Sequence, residues 1–445
     1  MADFPPEFLW GVATSSYQVE GAVDVDGRGE SIWDRFSHTP GRIKDGSNGD
    51  VACDHYRRYA DDVALMGDLG AGAYRFSIAW PRVVPSGSGA VNSRGLAFYD
   101  RLVDSLLEQG ITPMATLYHW DLPQALEDRG GWESRDTVAR FAEYADACYR
   151  ALGDRVRRWI THNEPWVVGM LGYFRGVHAP GKTDLAAALR VIHHLLLSHG
   201  EAVRAFRASG RTGEIGITLS LAPTYPYTDS EADRAAAVAS DGYTNRWFLD
   251  PVLRGAYPAD MIGLYERAAG PLELAATGDL ETIAQPTDFL GVNYYAPRVV
   301  RASTADALPW SVLVPEGRPV TAMGSEIAPE GLFDLLTRLN HDYGPIAIHV
   351  TENGAAFDDV VGRDGRVDDA PRVDFFRGHL GAAARAIATG VDLRGYFAWS
   401  LLDNFEWAEG YVKRFGIVYV DYATQRRIPK SSARYLSSIF RGGAI

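Results

Sequence analysis

Two glutamates carry the sharpest chemical signal in this 445-residue chain. Glu164 lies in Asn163-Glu164-Pro165 and Glu352 in Thr351-Glu352-Asn353-Gly354, each closing a short apolar run and each beside an asparagine. An isolated glutamate is ordinarily a solvated surface charge. A carboxyl forced near apolar or like-charged surroundings instead holds its proton and can act as an acid, while an ionised partner can attack. Cleavage of a glycosidic bond requires such a pair. Gln18, Arg75, His119, Asn293, Tyr294, Tyr295 and Trp399 lie at or near the ends of similar runs. Such a set suits a sugar, whose hydroxyls take donors and acceptors and whose apolar faces take rings.

The segments that must position these groups alternate in type along the chain. Strands are expected at Leu9–Thr14, Ala73–Trp80, Thr112–His119, Arg157–Asn163, Glu214–Leu219, Asp288–Tyr294, Ile346–Glu352 and Arg394–Ser400. Several are nearly continuous apolar runs, the pattern of parallel strands covered on both faces. Between them run amphipathic helices, with stripes such as Leu332, Leu335, Leu336 and Leu339 at helical spacing. An open doubly wound sheet usually carries a glycine-rich phosphate loop after its first strand. Here the first strand runs into Ala13-Thr14-Ser15-Ser16-Tyr17-Gln18, so a single (β/α)8 TIM barrel spanning 1–445, with extended loops at the C-terminal face of the strands, is expected. The segment Pro297–Pro329, with Trp310, reads as a loop beside the entrance, and Asp358 to Asp364 as a solvated turn.

Composition narrows the partners. The chain is 46% hydrophobic and 23% charged, with a net charge of −13. That acidity disfavours nucleic acid and anionic membrane surfaces. No apolar stretch reaches the roughly 18 residues of a membrane span. The N-terminal segment lacks the basic region of a signal peptide, and only Cys53 and Cys148 are present, so a reducing cytoplasm fits. Cys148 falls on an apolar helix face. No cofactor is expected and no metal site, since His193, His194 and His199 lack zinc-ligand spacing.

Several motifs together resemble glycoside hydrolase family 1. They are Phe8-Leu9-Trp10-Gly11 through Glu20-Gly21, Tyr74-Arg75-Phe76-Ser77, the two glutamate motifs, and Trp399-Ser400-Leu401-Leu402-Asp403-Asn404-Phe405-Glu406-Trp407. The resemblance runs from Phe8 to Lys430 and implies a retaining, exo-acting β-glucosidase taking a small β-glycoside. It implies Glu352 as nucleophile and Glu164 as acid/base, with their carboxyls about 5–5.5 Å apart. Arg75 and Tyr295 would hold Glu352, and Asn163 would bond the sugar 2-hydroxyl. Gln18, His119, Glu406 and Trp407 would bind the other hydroxyls, Asn293 would join the substrate-binding set, and Trp399 would floor the pocket. Trp120 either lines the pocket or packs. Trp166, Tyr173 and Phe415 read as aglycone or rim contacts.

One departure from the family pattern is His162, where an apolar residue is usual; its side chain should point away from Asn163 into the helix layer. Two rival readings are a catalytically dead sugar-binding barrel, which need not keep both glutamates and Arg75, and a 6-phospho-β-glycosidase. Glu406 opposes the latter, because a carboxylate would repel a 6-phosphate.

Overall fold

A computed structural model of the chain describes residues 4–305 and 308–442. The first three residues of the N-terminal segment, and 306–307 of the loop read above, lie outside the described residues. Eight parallel strands close a barrel: β1 (Leu9–Ala13), β2 (Ala73–Ser77), β3 (Thr112–Tyr118), β4 (Arg158–Asn163), β5 (Glu214–Ser220), β6 (Phe289–Asn293), β7 (Ile348–Asn353) and β8 (Leu393–Trp399). Each hydrogen-bonds to its neighbours in sequence, and β8 closes against β1, pairing Ala13 with Trp399. These are the eight expected segments, with ends shifted by one to three residues: most are trimmed, while β5, β7 and β8 each run one residue further at one end. The largest trim is in β2, which stops at Ser77 because Trp80–Val83, with Pro81 at its start, turns into a short helix.

The strands are buried on both faces, and two apolar clusters explain their near-continuous apolar character. Ala13, Ala73, Met114, Ile160, Phe289 and Phe397 fill the barrel interior, small residues of β1 and β2 facing larger ones of β3, β4, β6 and β8. The larger cluster lies between barrel and helices and takes the stripes of His55–Leu69, Pro329–Tyr343 and Ala370–Ala388. His162 points into that outer layer, as expected. Its ring stacks on Phe141 at 4.4 Å and its Nε2 meets Ser198 Oγ at 2.8 Å. Cys148 is buried there too.

Irregularities concentrate where the strands end. Register shifts interrupt the pairing between Ile160 and Asn163 on β4 and between Val350 and Glu352 on β7. Such bulges re-aim side chains. Gly354, just past β7, is required by close approach, since a Cβ there would lie 1.7 Å from the Trp399 carbonyl oxygen.

Two sequence expectations are corrected. The segment 297–329 is not structureless: Arg298–Ala302 and Trp310–Leu313 pair antiparallel, and Thr224–Pro226 adds a parallel third strand. Trp310 is buried and packs on Tyr243, which gives this small sheet a core of its own. Nor is the turn after β7 simply solvated. The Asp359 carboxylate is buried between Arg372 at 2.7 Å and Lys430 at 2.6 Å. Among the described residues no helix is long and apolar enough to cross a membrane.

Candidate active site

Three strand ends converge on Arg75, whose side chain is fully buried. Its Nη1 pairs with Glu352 Oε1 and its Nη2 donates to Asn163 Oδ1 at 2.5 Å, so one guanidinium from β2 ties β7 to β4. The Tyr295 hydroxyl donates to the other oxygen, Oε2, of Glu352 at 2.6 Å. Both carboxylate oxygens are thereby held by charge-assisted bonds, which fix orientation strongly.

Glu164 sits in a different setting. Its φ of 49° is left-handed, a strained backbone for a side chain of this size, and its N–H bonds the Thr218 carbonyl at 2.9 Å. Its Oε1 accepts from Asn293 Nδ2 at 2.8 Å. Among the described residues it has no cationic partner at ion-pair distance, Arg75 being paired with Glu352. Burial, with the Glu352 charge adding to it, pushes its carboxyl up to about 8. One carboxylate is therefore clamped by a cation and the other is left holding its proton, the division of labour that acid-assisted nucleophilic displacement requires.

A polar chain links these groups to a histidine. Asn163 Oδ1 faces two donors, Arg75 and Asn293, the latter at 3.0 Å, which fixes the amide so that Nδ2 donates to His119 Nε2 at 3.0 Å. The His119 proton must then sit on Nδ1, which has no protein partner. Burial, and after it the Arg75 charge, hold this imidazole well below its usual range, so it is neutral. Its ring stacks with Trp399 at 5.7 Å and Trp407 at 6.0 Å. Trp120 does both things left open for it: it lines the cavity and its Nε1 donates to the Asn163 carbonyl at 2.9 Å.

The cavity has a volume of about 370 Å³, within the usual range for small-molecule sites. Glu164, Glu352, His119, Trp120, Tyr295, Trp399, Glu406, Trp407 and Phe415 line it. Arg75, Asn163, Asn293 and Gln18 stand one contact behind that wall. Gln18 Oε1 accepts from Ser15 at 2.6 Å, and its Nε2 reaches the Phe405 carbonyl at 3.0 Å and Glu406 at 3.3 Å. Glu406, like Glu164, is pushed up to about 8, by burial first and then by the Glu352 charge. The loop carrying it is anchored from below, where Asp403 accepts from Lys430 and Arg414, each at 2.7 Å, and from the Gly416 amide at 2.9 Å.

One rim expectation needs correction. Tyr173 lies in a π-helical segment, Val167–Phe174, fully buried, with its hydroxyl donating to Glu127 at 2.9 Å; it packs and does not line the cavity. Trp166 lines an adjoining cavity that shares Tyr295 and Ser325 with this one. Sequence reasoning missed His178, Val167, Leu171, Thr321, Met323 and Glu409, all of which line the cavity. Glu409 stands three residues past Glu406; the others lie in loops or a π-turn, whose spacing carries no periodic signal. The helical histidines have partners of their own: His193 meets Tyr257 and Asp279, each at 3.0 Å, and His199 meets Thr161 at 2.8 Å.

A parallel barrel gathering a clamped carboxylate, a protonated carboxyl and tryptophan rings at the C-terminal ends of its strands defines a carbohydrate-cleaving enzyme. Comparison with known proteins specifies it further. The sequence signature of glycosyl hydrolase family 1 matches residues 1–443. The thermostable beta-glucosidase B of Thermobispora bispora is 54% identical over 98% of this chain and 90% of its own length. A bifunctional beta-D-glucosidase/beta-D-fucosidase of Bifidobacterium breve is 46% identical over 96% of each chain. The solved structure of beta-glucosidase from Thermotoga maritima in complex with glucoimidazole superposes with a TM-score of 0.96 at 49% identity, covering 100% of both chains. The chain belongs to glycosyl hydrolase family 1.

Proposed function

We propose that this enzyme is an exo-acting β-glucosidase that removes terminal non-reducing β-D-glucosyl residues by double displacement, the whole chain acting as one catalytic unit. The observation that carries the reading is the unlike treatment of two carboxyls on one cavity wall. Glu352 is clamped between Arg75 and Tyr295, whereas Glu164 holds a proton at neutral pH. In this mechanism Glu352 attacks the anomeric carbon while Glu164 delivers its proton to the departing oxygen. Forming the glycosyl ester removes the Glu352 charge, one of the two main causes of the raised Glu164 value. Glu164 then surrenders its proton more readily and suits the second half-reaction, taking a proton from the attacking water.

Substrate preference rests on the Gln18–Glu406 pair. Gln18 stands behind the wall and donates to Glu406, which lines the cavity, so the pair presents Glu406 to the sugar and suits glucosides, with β-galactosides and β-fucosides as further substrates. The similarity to a glucosidase that also bears the name fucosidase supports this breadth. Cello-oligosaccharides fit the same reading, and 6-phosphoglucosides do not, because the Arg75-clamped Glu352 carboxylate lines the cavity and, among the described residues, no lysine or arginine does. Cys53 and Cys148 are free and buried, which supports a cytoplasmic setting.

Two measurements test the proposal. Glu352→Gly should abolish hydrolysis, and added azide should restore turnover of an activated aryl glucoside with formation of the α-glucosyl azide. In the wild type, NMR during early turnover should detect the β-anomer of the free sugar first. Initial release of the α-anomer would remove the nucleophile role from Glu352.

A further inference from the structure

Beside the catalytic cavity lies a second one of about 400 Å³, and the two share Tyr295 and Ser325. Trp166, Thr244, Arg298 and Glu326 are among its walls. Glu326 is the single acid on that wall, and it is already paired with Arg318. The remaining polar groups are short of partners. Trp166 Nε1 and Thr244 Oγ1 are both buried with none in the protein. Buried donors left unmatched are costly, so each calls for an acceptor.

Arg298 is the most unusual member. Its Nε donates only to Ser240 Oγ, at 3.3 Å, and its guanidinium lies 5.8 Å from the Tyr243 ring. Among the described residues it forms no ion pair, and Arg175, another cation, acts on it unfavourably. Arg175, which lies over the Phe174 ring and also acts on Tyr243, forms no ion pair among the described residues either. Two arginines without counter-ions thus flank one tyrosine in a protein of net charge −13. A guanidinium partly withdrawn from water without a carboxylate is expensive unless a ligand supplies the anion.

Position supplies the functional meaning. Tyr295 touches the nucleophile, and Trp166 follows Glu164 by two residues, so the chamber adjoins the point where a leaving group departs. We propose that this chamber is an aglycone subsite for β-glucosides whose leaving group bears a carboxylate, with Arg298, which lines it, pairing with that anion. The inference rests on the β-glucosidase reading. Without Arg298 such substrates should be disfavoured, since the Glu352 carboxylate lines the adjoining cavity and, among the described residues, no lysine or arginine does.

The test compares the para- and meta-carboxyphenyl β-D-glucosides with their neutral carbamoylphenyl counterparts. In the wild type at low salt, kcat/KM should favour the acid by about tenfold in at least one pair, the worth of a charge-assisted bond over a neutral one. Arg298→Gln should bring that ratio to one or below, and Arg298→Lys should keep part of it. Because a variant can fail to fold, the wild type gives a second reading: raising NaCl to about 0.5 M should shrink the preference by screening. Ratios of one or less for both pairs in the wild type, or a preference indifferent to salt and to Arg298, overturn the proposal. Failure to hydrolyse any aryl β-glucoside, the nitrophenyl one included, would instead overturn the β-glucosidase reading itself.

Discussion

Replacing Glu352 by glutamine should lower the proton affinity of Glu164 without returning it to that of an ordinary carboxylate. With its carboxyl at about 8, roughly nine in ten molecules carry the Glu164 proton at pH 7. At the ordinary value near 4.5 only about one in three hundred would. Burial is the larger cause and the Glu352 charge the second. Two carboxylates about 5.5 Å apart, at an effective dielectric near 20, repel by about 3 kcal/mol, which sets about two pH units as the most that the charge can contribute. Glu352→Gln keeps the burial and removes the charge. The midpoint should therefore fall by about one to two pH units and still exceed the ordinary range. The variant is inactive, so the assay is a carboxyl titration by ¹³C NMR or isotope-edited infrared, with the Glu164→Gln spectrum subtracted to assign the signal. An unmoved midpoint would show that Glu352 does not act on Glu164. A collapse to the ordinary range would show that burial is not the larger cause.

Tyr295→Phe removes the 2.6 Å bond to Glu352 but spares the Arg75 pair. Loss of a charge-assisted bond worth about 1.5–3 kcal/mol should cut kcat on dinitrophenyl β-glucoside by roughly ten- to hundredfold, and an unchanged kcat would contradict the clamp. Glu164 also bears on stability: its folded value of about 8 lies above the unfolded one near 4.5, so its contribution is full below pH 4.5 and lost as pH rises through 8. Glu164→Gln should match the wild type in melting temperature at pH 4.5 and exceed it at pH 9; parallel decline of the two proteins across that interval would contradict the assignment.

The barrel was legible because parallel strands covered on both faces leave apolar runs, and the runs ending at Asn163, Asn293 and Glu352 placed the chemistry at the same time. What escaped depends on partners remote in sequence. Asp359 reads as a turn residue until Arg372 and Lys430 close on it from later segments. Tyr173 looked like a rim aromatic because nothing near it in sequence announces Glu127, the group its hydroxyl meets. The hairpin strands of 298–313 are too short for alternation to stand out, and they depend on Trp310 packing against Tyr243, a residue from another part of the chain. His178 borders the cavity between the rings of Trp120 and Trp407, and no local pattern foretells that placement.

The ionic cluster beneath the Glu406 loop gives the chain a timetable. Asp359, Asp369 and Asp403 are matched by Arg372, Arg414 and Lys430, three charges of each sign. Lys430, which bridges Asp359 and Asp403, follows all eight barrel strands. While the ribosome has yet to release it, a nascent barrel would enclose those two carboxylates with a cation missing, and charges that have lost a partner resist burial strongly. The sugar-facing loop therefore depends on a lysine that is synthesised only after all eight barrel strands.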